Sequence, residues 1–461
     1  MEALMAFDVG TTHLKWVMAD RGSGRIIWEG RADVSATRSD LASEQDPDSV
    51  LAMVRQLLQQ ANAYGQVEIV AFSAAMHSLV VVDAQGRALT KSLTWMDRRS
   101  VAVAQQLRDS DSGRTLHRLS GVPVHAMSPL VKWIFLKDHV PRGARPVSLK
   151  DYLIFHLTGQ WVTDFSTAAG SGFLGLDNQW LAPALDIAGL TAQDLPTLVP
   201  MATRIAVPHV KPEIVVGGTD AALAHRHLKV PPDGSVGVVA MGTSGALRTT
   251  VAHALECAEL FCYTMGPGEG YVVGSAFSNV GNLLEWQARL FGIDVDRLLT
   301  EALQAIRSGR TLPLTLAYWF GERSPWWQEG LDGAWLHLGP EHGRAELAGS
   351  TLLAIAAAYW EGQAAVRASG SALTELRGGS GLLDRPDMAQ WMADGLGQTI
   401  VLQDDRDASL LGAADLVRPL TPSQPHRLHR FQMRDAVMSS RVQKTWQEVR
   451  DWMVGHGVVN R

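Results

Sequence analysis

The chain has 461 residues, 46% of them hydrophobic and 19% charged, which suits two globular domains and is too apolar for a disordered polymer. Lys and Arg number 41 against 47 Asp and Glu, a net charge of -6, so no overall positive field draws the protein to nucleic acid or anionic lipid. No apolar run approaches the roughly 18 residues of a membrane span, no leader-like segment opens the chain, and Cys257 and Cys262 fit neither a zinc knuckle nor a disulfide framework; a cytoplasmic protein with no membrane partner is expected.

Residues 4–9 form an apolar run broken by Gly10-Thr11-Thr12, followed by 14–19, a turn at 20–24 and a further run at 25–30. This pattern predicts three consecutive antiparallel strands. Apolar positions then recur at helical spacing through 47–64, with Asp46 as N-cap and Pro47 at the first helical position, and a strand is expected at 67–72. Strands joined by tight turns, then a helix, then another strand describe a mixed sheet faced by helices. The same order returns after Pro231-Pro232-Asp233-Gly234, where a buried strand at 236–241 ends in Gly242-Thr243-Ser244-Gly245 and strands follow at 246–251 and 271–275. The two glycine-hydroxyl turns lie about half a chain apart, so an internal duplication is the economical reading, with one lobe over 1–230 and a second over 235–461. Helices are further expected at 345–369, 386–395 and 407–418, and short strands at 373–377 and 399–402. A Pro-, His- and Arg-rich loop over 419–430 should precede a C-terminal helix.

Asp8, Gly10, Thr11, Thr12 and Lys15 place glycine and hydroxyl residues at a strand turn, where backbone N–H groups can approach a phosphate and a strand-end carboxylate can hold Mg²⁺. Alone, this is equally a hairpin turn. A second such turn at Gly242, Thr243 and Ser244 changes the balance, because a cleft between duplicated halves would present both to one ligand. Neither a Walker-type P-loop nor a dinucleotide fingerprint occurs. Gly217-Gly218-Thr219-Asp220 follows an apolar strand and opens a helix, so Asp220 is either a helix cap or, facing such a cleft, a general base for a hydroxyl proton. Met76-His77-Ser78 joins two apolar strands, with Trp95, Asp97 and Arg99 shortly after. An imidazole, an indole face, a carboxylate and a guanidinium suit a polyhydroxylated ligand. Plainer readings exist: His77 as a core histidine, Asp97 as the cap of a helix at 98–107, and Trp95 as core like most of the 15 Trp.

Taken in order, these motifs resemble the FGGY carbohydrate kinase family over nearly the whole chain. Asp8 to Lys15 is similar to the family's first phosphate motif, Met241 to Gly245 to its second, and Gly217 to Ala222 to the segment carrying its catalytic aspartate. Gly378-Gly379-Ser380, followed by Gln390-Trp391-Met392-Ala393-Asp394, resembles its adenosine site. The resemblance implies an α/β fold of two duplicated actin-like ATPase (ribonuclease H-like) lobes, with mixed sheets flanked by helices and a cleft between them. It also implies ATP and Mg²⁺ as cofactors: Asp8 toward the metal, Thr11, Thr12, Lys15, Gly242, Thr243, Ser244, Gly378 and Gly379 toward the nucleotide, and Asp220 as catalytic base. Within the family, Met76-His77-Ser78, Trp95 with Asp97 and Arg99, Met127-Ser128-Pro129-Leu130 with Lys132, and Asn282 to Trp286 resemble the gluconate-phosphorylating members. Xylulose-phosphorylating members usually carry glycine where this chain has Ser78. The implied partner is a small sugar acid held by Met76, His77, Trp95, Asp97, Arg99 and Lys132, with Arg99 or Lys132 against its carboxylate; a homodimer is compatible with the family. The sequence departs from the family pattern at His13-Leu14 and at Asp405-Arg406-Asp407-Ala408-Ser409, which lacks a glutamate. Two competing classes are a silent sugar or nucleotide sensor, opposed by Asp8, Asp220 and both turns, and a sugar-independent ATPase, which has no use for His77, Trp95 and Asp97.

Overall fold

In a computed structural model describing residues 2–207, 210–403, 407–421 and 428–459, the first strands are β1 (Glu2–Val9), β2 (His13–Asp20) and β3 (Ile26–Asp33). They pair antiparallel in succession, as their turns predict. Helix α1 (Pro47–Ala61) follows; Asp46 caps it by accepting from the Asp48 and Ser49 amides at 3.0 and 3.2 Å. It ends three residues earlier than its apolar spacing suggests, in a hydrogen-bonded turn over 62–65. Strands β4 (Gln66–Ala74), β5 (Arg204–Val207) and β6 (Val210–Thr219) complete a sheet ordered β5-β6-β4-β1-β2-β3. β1 lies inside it and is apolar on both faces: Ala3, Met5, Phe7 and Val9 join one core and Leu4 and Ala6 another. That double burial explains an unbroken apolar run where alternation would mark a one-sided strand.

Helix α2 (Asp220–His227) leads into a second sheet: β7 (Asp233–Met241), β8 (Gly245–Val251), β9 (Phe261–Gly266), β10 (Gly270–Phe277), β11 (Glu375–Gly381), β12 (Thr399–Gln403) and β13 (Leu428–Phe431). Its order is β9-β10-β8-β7-β11-β12-β13. Stripped of β9, this is the first sheet again: β10, β8, β7, β11, β12 and β13 stand where β3, β2, β1, β4, β6 and β5 stand, with the same parallel and antiparallel sense at each pairing. The chain therefore has the two-lobed, duplicated actin-like fold. Helices α3 (Arg344–Ala368), α4 (Pro386–Leu396) and α6 (Ala436–Gly455) pack together on the second sheet, while α5 (Ala408–Asp415), the counterpart of α2, packs against α2 and β1. Leu410, Ala413 and Ala414 of α5 share a core with Leu4 and Ala6, so the lobes interlock at the cleft floor.

The expected loop over 419–430 ends in β13, an edge strand whose Leu428 is 64% exposed. Without a buried face it carries no apolar alternation to read. The remainder of that loop, 422–427, and Asp405 and Arg406 lie outside the described residues.

Candidate active site

Between the lobes is a cleft of about 380 Å³, within the range of small-molecule sites. Of the residues singled out from sequence, Asp8, Thr11, Thr12, Lys15, Met76, His77, Trp95, Asp220 and Ser244 line it. The first turn is tightened by Gly10 N–H donating to His13 O at 3.0 Å and buttressed by Gln45 Nε2, which donates to the Gly10 and Thr11 carbonyls. In the second, Gly242 O and Thr243 O accept from Gly281 N and Asn282 N at 3.0 Å, leaving both residues exposed beside Ser244. Lys15 is paired with Asp407 from the other lobe. Gly378 is packed inside β11, against Val239 and Leu383, and Gly379 follows it in the same strand.

Asp220 is placed by a bulge in β6. Gly217 there has φ 71°, and a Cβ would sit 1.6 Å from Phe72 O, so only glycine lets the strand pass β4 this closely. Behind the bulge, buried Lys150 pairs with Asp164 at 3.0 Å and donates to Val216 O, Asp164 accepts from Ser166 N, and Ser166 Oγ accepts from Thr219 N. The cap of α2 is Thr219, whose hydroxyl accepts from Ala222 N, so Asp220 is not the cap. Its carboxylate instead accepts from Ala221 N at 2.8 Å and from the Met76 amide. Burial pushes that carboxyl up to about 6, opposed by Arg248 and reinforced by Asp8.

Asp8 accepts from Ser73 Oγ at 2.6 Å and, across the lobes, from Ser409 Oγ at 3.1 Å; burial raises its pKa as well. Among the described residues no group of three or more His, Cys, Asp or Glu could enclose a metal. An isolated strand-end carboxylate beside two phosphate-type turns fits Mg²⁺, which keeps most of its waters and is commonly held by one or two carboxylates plus substrate phosphates.

His77 has φ 64° and its Nδ1 donates to Gly170 O at 2.7 Å. Burial drives its pKa down to about 3, so the ring stays neutral and Nε2 is an acceptor. Asp97, Arg99 and Lys132 lie behind the cleft wall. Lys132 is fully buried and its ammonium donates to the carbonyls of His77, Thr94 and Met127 at 2.9, 2.7 and 2.9 Å, although burial lowers its pKa to about 7. Asp97 does not cap a helix: the helix begins at Val101, and the carboxylate accepts from Ser43 N and from Arg99, which also reaches Glu44. These three residues brace the segments that carry His77 and Trp95.

Two arginines absent from the sequence reading complete the wall. Arg248 interrupts the apolar strand β8, and Arg323 sits in Gly321-Glu322-Arg323-Ser324-Pro325 with its Cζ 4.8 Å from the centre of the Trp95 ring. A lone charge in a buried strand was the available signal for the first. Arg323 lies on a C-lobe strap fastened to the N-lobe: His125 Nε2 donates to Glu322 O, Arg98 donates to Glu329 O, and Arg108 binds Trp327 O and the Glu329 carboxylate.

These features define a small-molecule phosphotransferase of the two-lobed kind. Models of the N- and C-terminal domains of the FGGY family of carbohydrate kinases match residues 3–217 and 237–416, and the chain belongs to that family. It is 27% identical over 448 residues to a gluconokinase of Bacillus licheniformis, covering 90% of this chain and 86% of the relative. It is 26% identical over 446 residues to a xylulose kinase of Escherichia coli (strain K12), covering 90% and 89%. Among solved structures, a xylulose kinase and a gluconate kinase from Lactobacillus acidophilus superpose with TM-scores of 0.88 and 0.87 at 22% and 23% identity, covering 98% of this chain and 99% and 98% of theirs.

Proposed function

We propose that this carbohydrate kinase transfers the γ-phosphoryl group of ATP to the terminal primary hydroxyl of D-gluconate, giving 6-phosphogluconate and ADP. The observation that carries the chemistry is Asp220, poised near 6 in the cleft that both phosphate turns border. A base with that value is largely ionised at neutral pH yet basic enough to take the hydroxyl proton as the oxygen attacks phosphorus. Residues 1–230 contribute the sugar wall, first phosphate turn and base, and 235–461 contribute the second phosphate turn and the adenosine site around Gly378 and Gly379. The amides and hydroxyls of Thr11, Thr12, Thr243 and Ser244 hold the triphosphate, and Lys15 adds positive charge once drawn from Asp407. Asp8 would hold Mg²⁺, which supplies charge neutralisation for the triphosphate. Met76, neutral His77 and the Trp95 face bind the acceptor, with Asp97, Arg99 and Lys132 supporting them.

Gluconate is favoured by the likeness to gluconokinases across 90% of the chain. The second reading is xylulose, favoured by the xylulose kinases that match at comparable identity. An ADP-release screen with gluconate, xylulose, ribulose, fructose and glycerol tests both: kcat/KM highest for gluconate upholds the first, and a neutral acceptor outpacing gluconate overturns it.

A further inference from the structure

Charged groups of both signs line the cleft. Asp8 senses Lys15 and Asp407; Asp220 senses Asp8 and Arg248; His77 senses Arg323. Arg248 and Arg323 thus share the cleft with the phosphate turns, Arg248 near Asp220 and Arg323 near His77. Arg323 donates through Nη2 to Phe277 O at 2.6 Å and through Nε to Ser278 Oγ at 3.2 Å, which leaves guanidinium protons to spare. Its neighbour Glu322 makes no ion pair among the described residues: that carboxyl accepts from Trp326 N and Gln328 N, and burial holds it well above the usual carboxylate range. Among the described residues the guanidinium of Arg248 makes no hydrogen bond or ion pair. Burial, with the proximity of Arg248, pulls Arg323 down to about 10. Two adjacent guanidiniums, neither in an ion pair among the described residues and one of them over the indole of Trp95, form a site for an anionic group brought by the ligand.

We infer that Arg248 and Arg323 are the specificity-determining residues that take the carboxylate of the sugar acid, holding the far end of the chain while its terminal hydroxyl reaches Asp220. This rests on the gluconate reading above. It replaces Lys132, whose ammonium is spent on three carbonyls, and Arg99, whose guanidinium is paired with Asp97 and Glu44 behind the cleft wall, as the source of acid recognition. The other anion the arginines could meet is the nucleotide's phosphate, and the experiment separates the two.

The test uses the full chain and the Arg248→Gln, Arg323→Gln and Arg323→Lys variants, assayed for ADP release with ATP and gluconate, D-glucitol (the neutral counterpart with CH₂OH for the carboxylate) or xylulose. Calorimetry follows gluconate and ADP binding. Loss of a charged hydrogen-bond partner predicts a gluconate KM and Kd roughly 10- to 100-fold higher in the Gln variants. ADP affinity and the KM for glucitol should move less than about threefold, and Arg323→Lys should recover part of the gluconate affinity. Arg248 is partly exposed and unbonded, so Arg248→Gln carries the test should Arg323→Gln fail to fold. Wild-type turnover of gluconate with an Arg248→Gln KM within threefold overturns this inference alone, as does an equal loss of ADP affinity. A wild type that phosphorylates xylulose and not gluconate overturns the gluconate reading and this inference with it.

Discussion

Replacing Asp220 with Asn separates the proposed base from everything else the residue does. The shape is kept and the cap of α2 is untouched, because Thr219 supplies it. With its carboxyl near 6, Asp220 is about nine-tenths ionised at pH 7 and about one-tenth at pH 5. Gluconate-dependent ADP release should therefore fall tenfold per pH unit below about 6. His77, held near 3, does not titrate there, and Lys132, near 7, is outside the cleft wall. In Asp220→Asn that limb should vanish and kcat should drop by roughly 10² to 10⁴. Stability should move the other way. The folded value lies above the ordinary 3.8, so keeping the carboxylate ionised costs stability above pH 6, and the cost fades as pH falls toward 4. The gap sets an upper limit of about 3 kcal/mol, less because the side chain is partly exposed in an open cleft. Urea unfolding at pH 8 should show the variant equal to or more stable than the parent. Activity within threefold of the parent, or an acid limb that survives the substitution, refutes Asp220 as the base.

Lys132→Met orphans three buried carbonyls and should lower the urea midpoint by an amount equivalent to about 3 kcal/mol or more, while any folded fraction keeps the gluconate-to-xylulose ratio of kcat/KM. Arg99→Ala strips the buried Asp97 of its cation; a stability loss of about 1–3 kcal/mol with gluconate KM within threefold is expected from the same measurements. Gluconate should tighten ADP binding by about 5- to 150-fold, since both ligands favour closure of lobes that each carry one phosphate turn; calorimetry finding ADP affinity indifferent to saturating gluconate would argue against closure. Gly245→Ala would bring a Cβ to 1.8 Å from Tyr359 Oη, which donates to Ala240 O, so displacement of the second turn should raise the KM for ATP at least tenfold.

Much of this was legible in the chain because it was local. The first three strands, the Asp46-Pro47 helix start and the two glycine-hydroxyl turns are written in neighbouring residues, and repetition of the turns exposed the duplicated sheets. What escaped depends on tertiary partners. A side chain's type does not say whether its protons are already spent: Lys132 looked like a ligand for an anion until three carbonyls were seen around it. Conversely, Arg323 sits in a Trp-rich loop without periodicity, and only the fold carries it onto Trp95. Asp220 was placed correctly at a helix start, but ruling it out as the cap needed the Thr219 hydroxyl, which spacing does not reveal.

The strap bearing Arg323 uses different atoms for its two tasks. Its attachment to the N-lobe runs through main-chain oxygens of Glu322, Trp327 and Glu329 and through the Glu329 carboxylate, and Ser324 N holds it to Ala276 O. The side chain at 323 takes no part in those hydrogen bonds and meets the N-lobe through the Trp95 ring. On the carboxylate assignment proposed above, a single substitution at 323 would alter substrate preference while those hydrogen bonds between the halves stay in place. An insertion or deletion anywhere between 322 and 329 would shift both together, so descendants of this scaffold should diversify here by substitution and keep the length of the strap fixed.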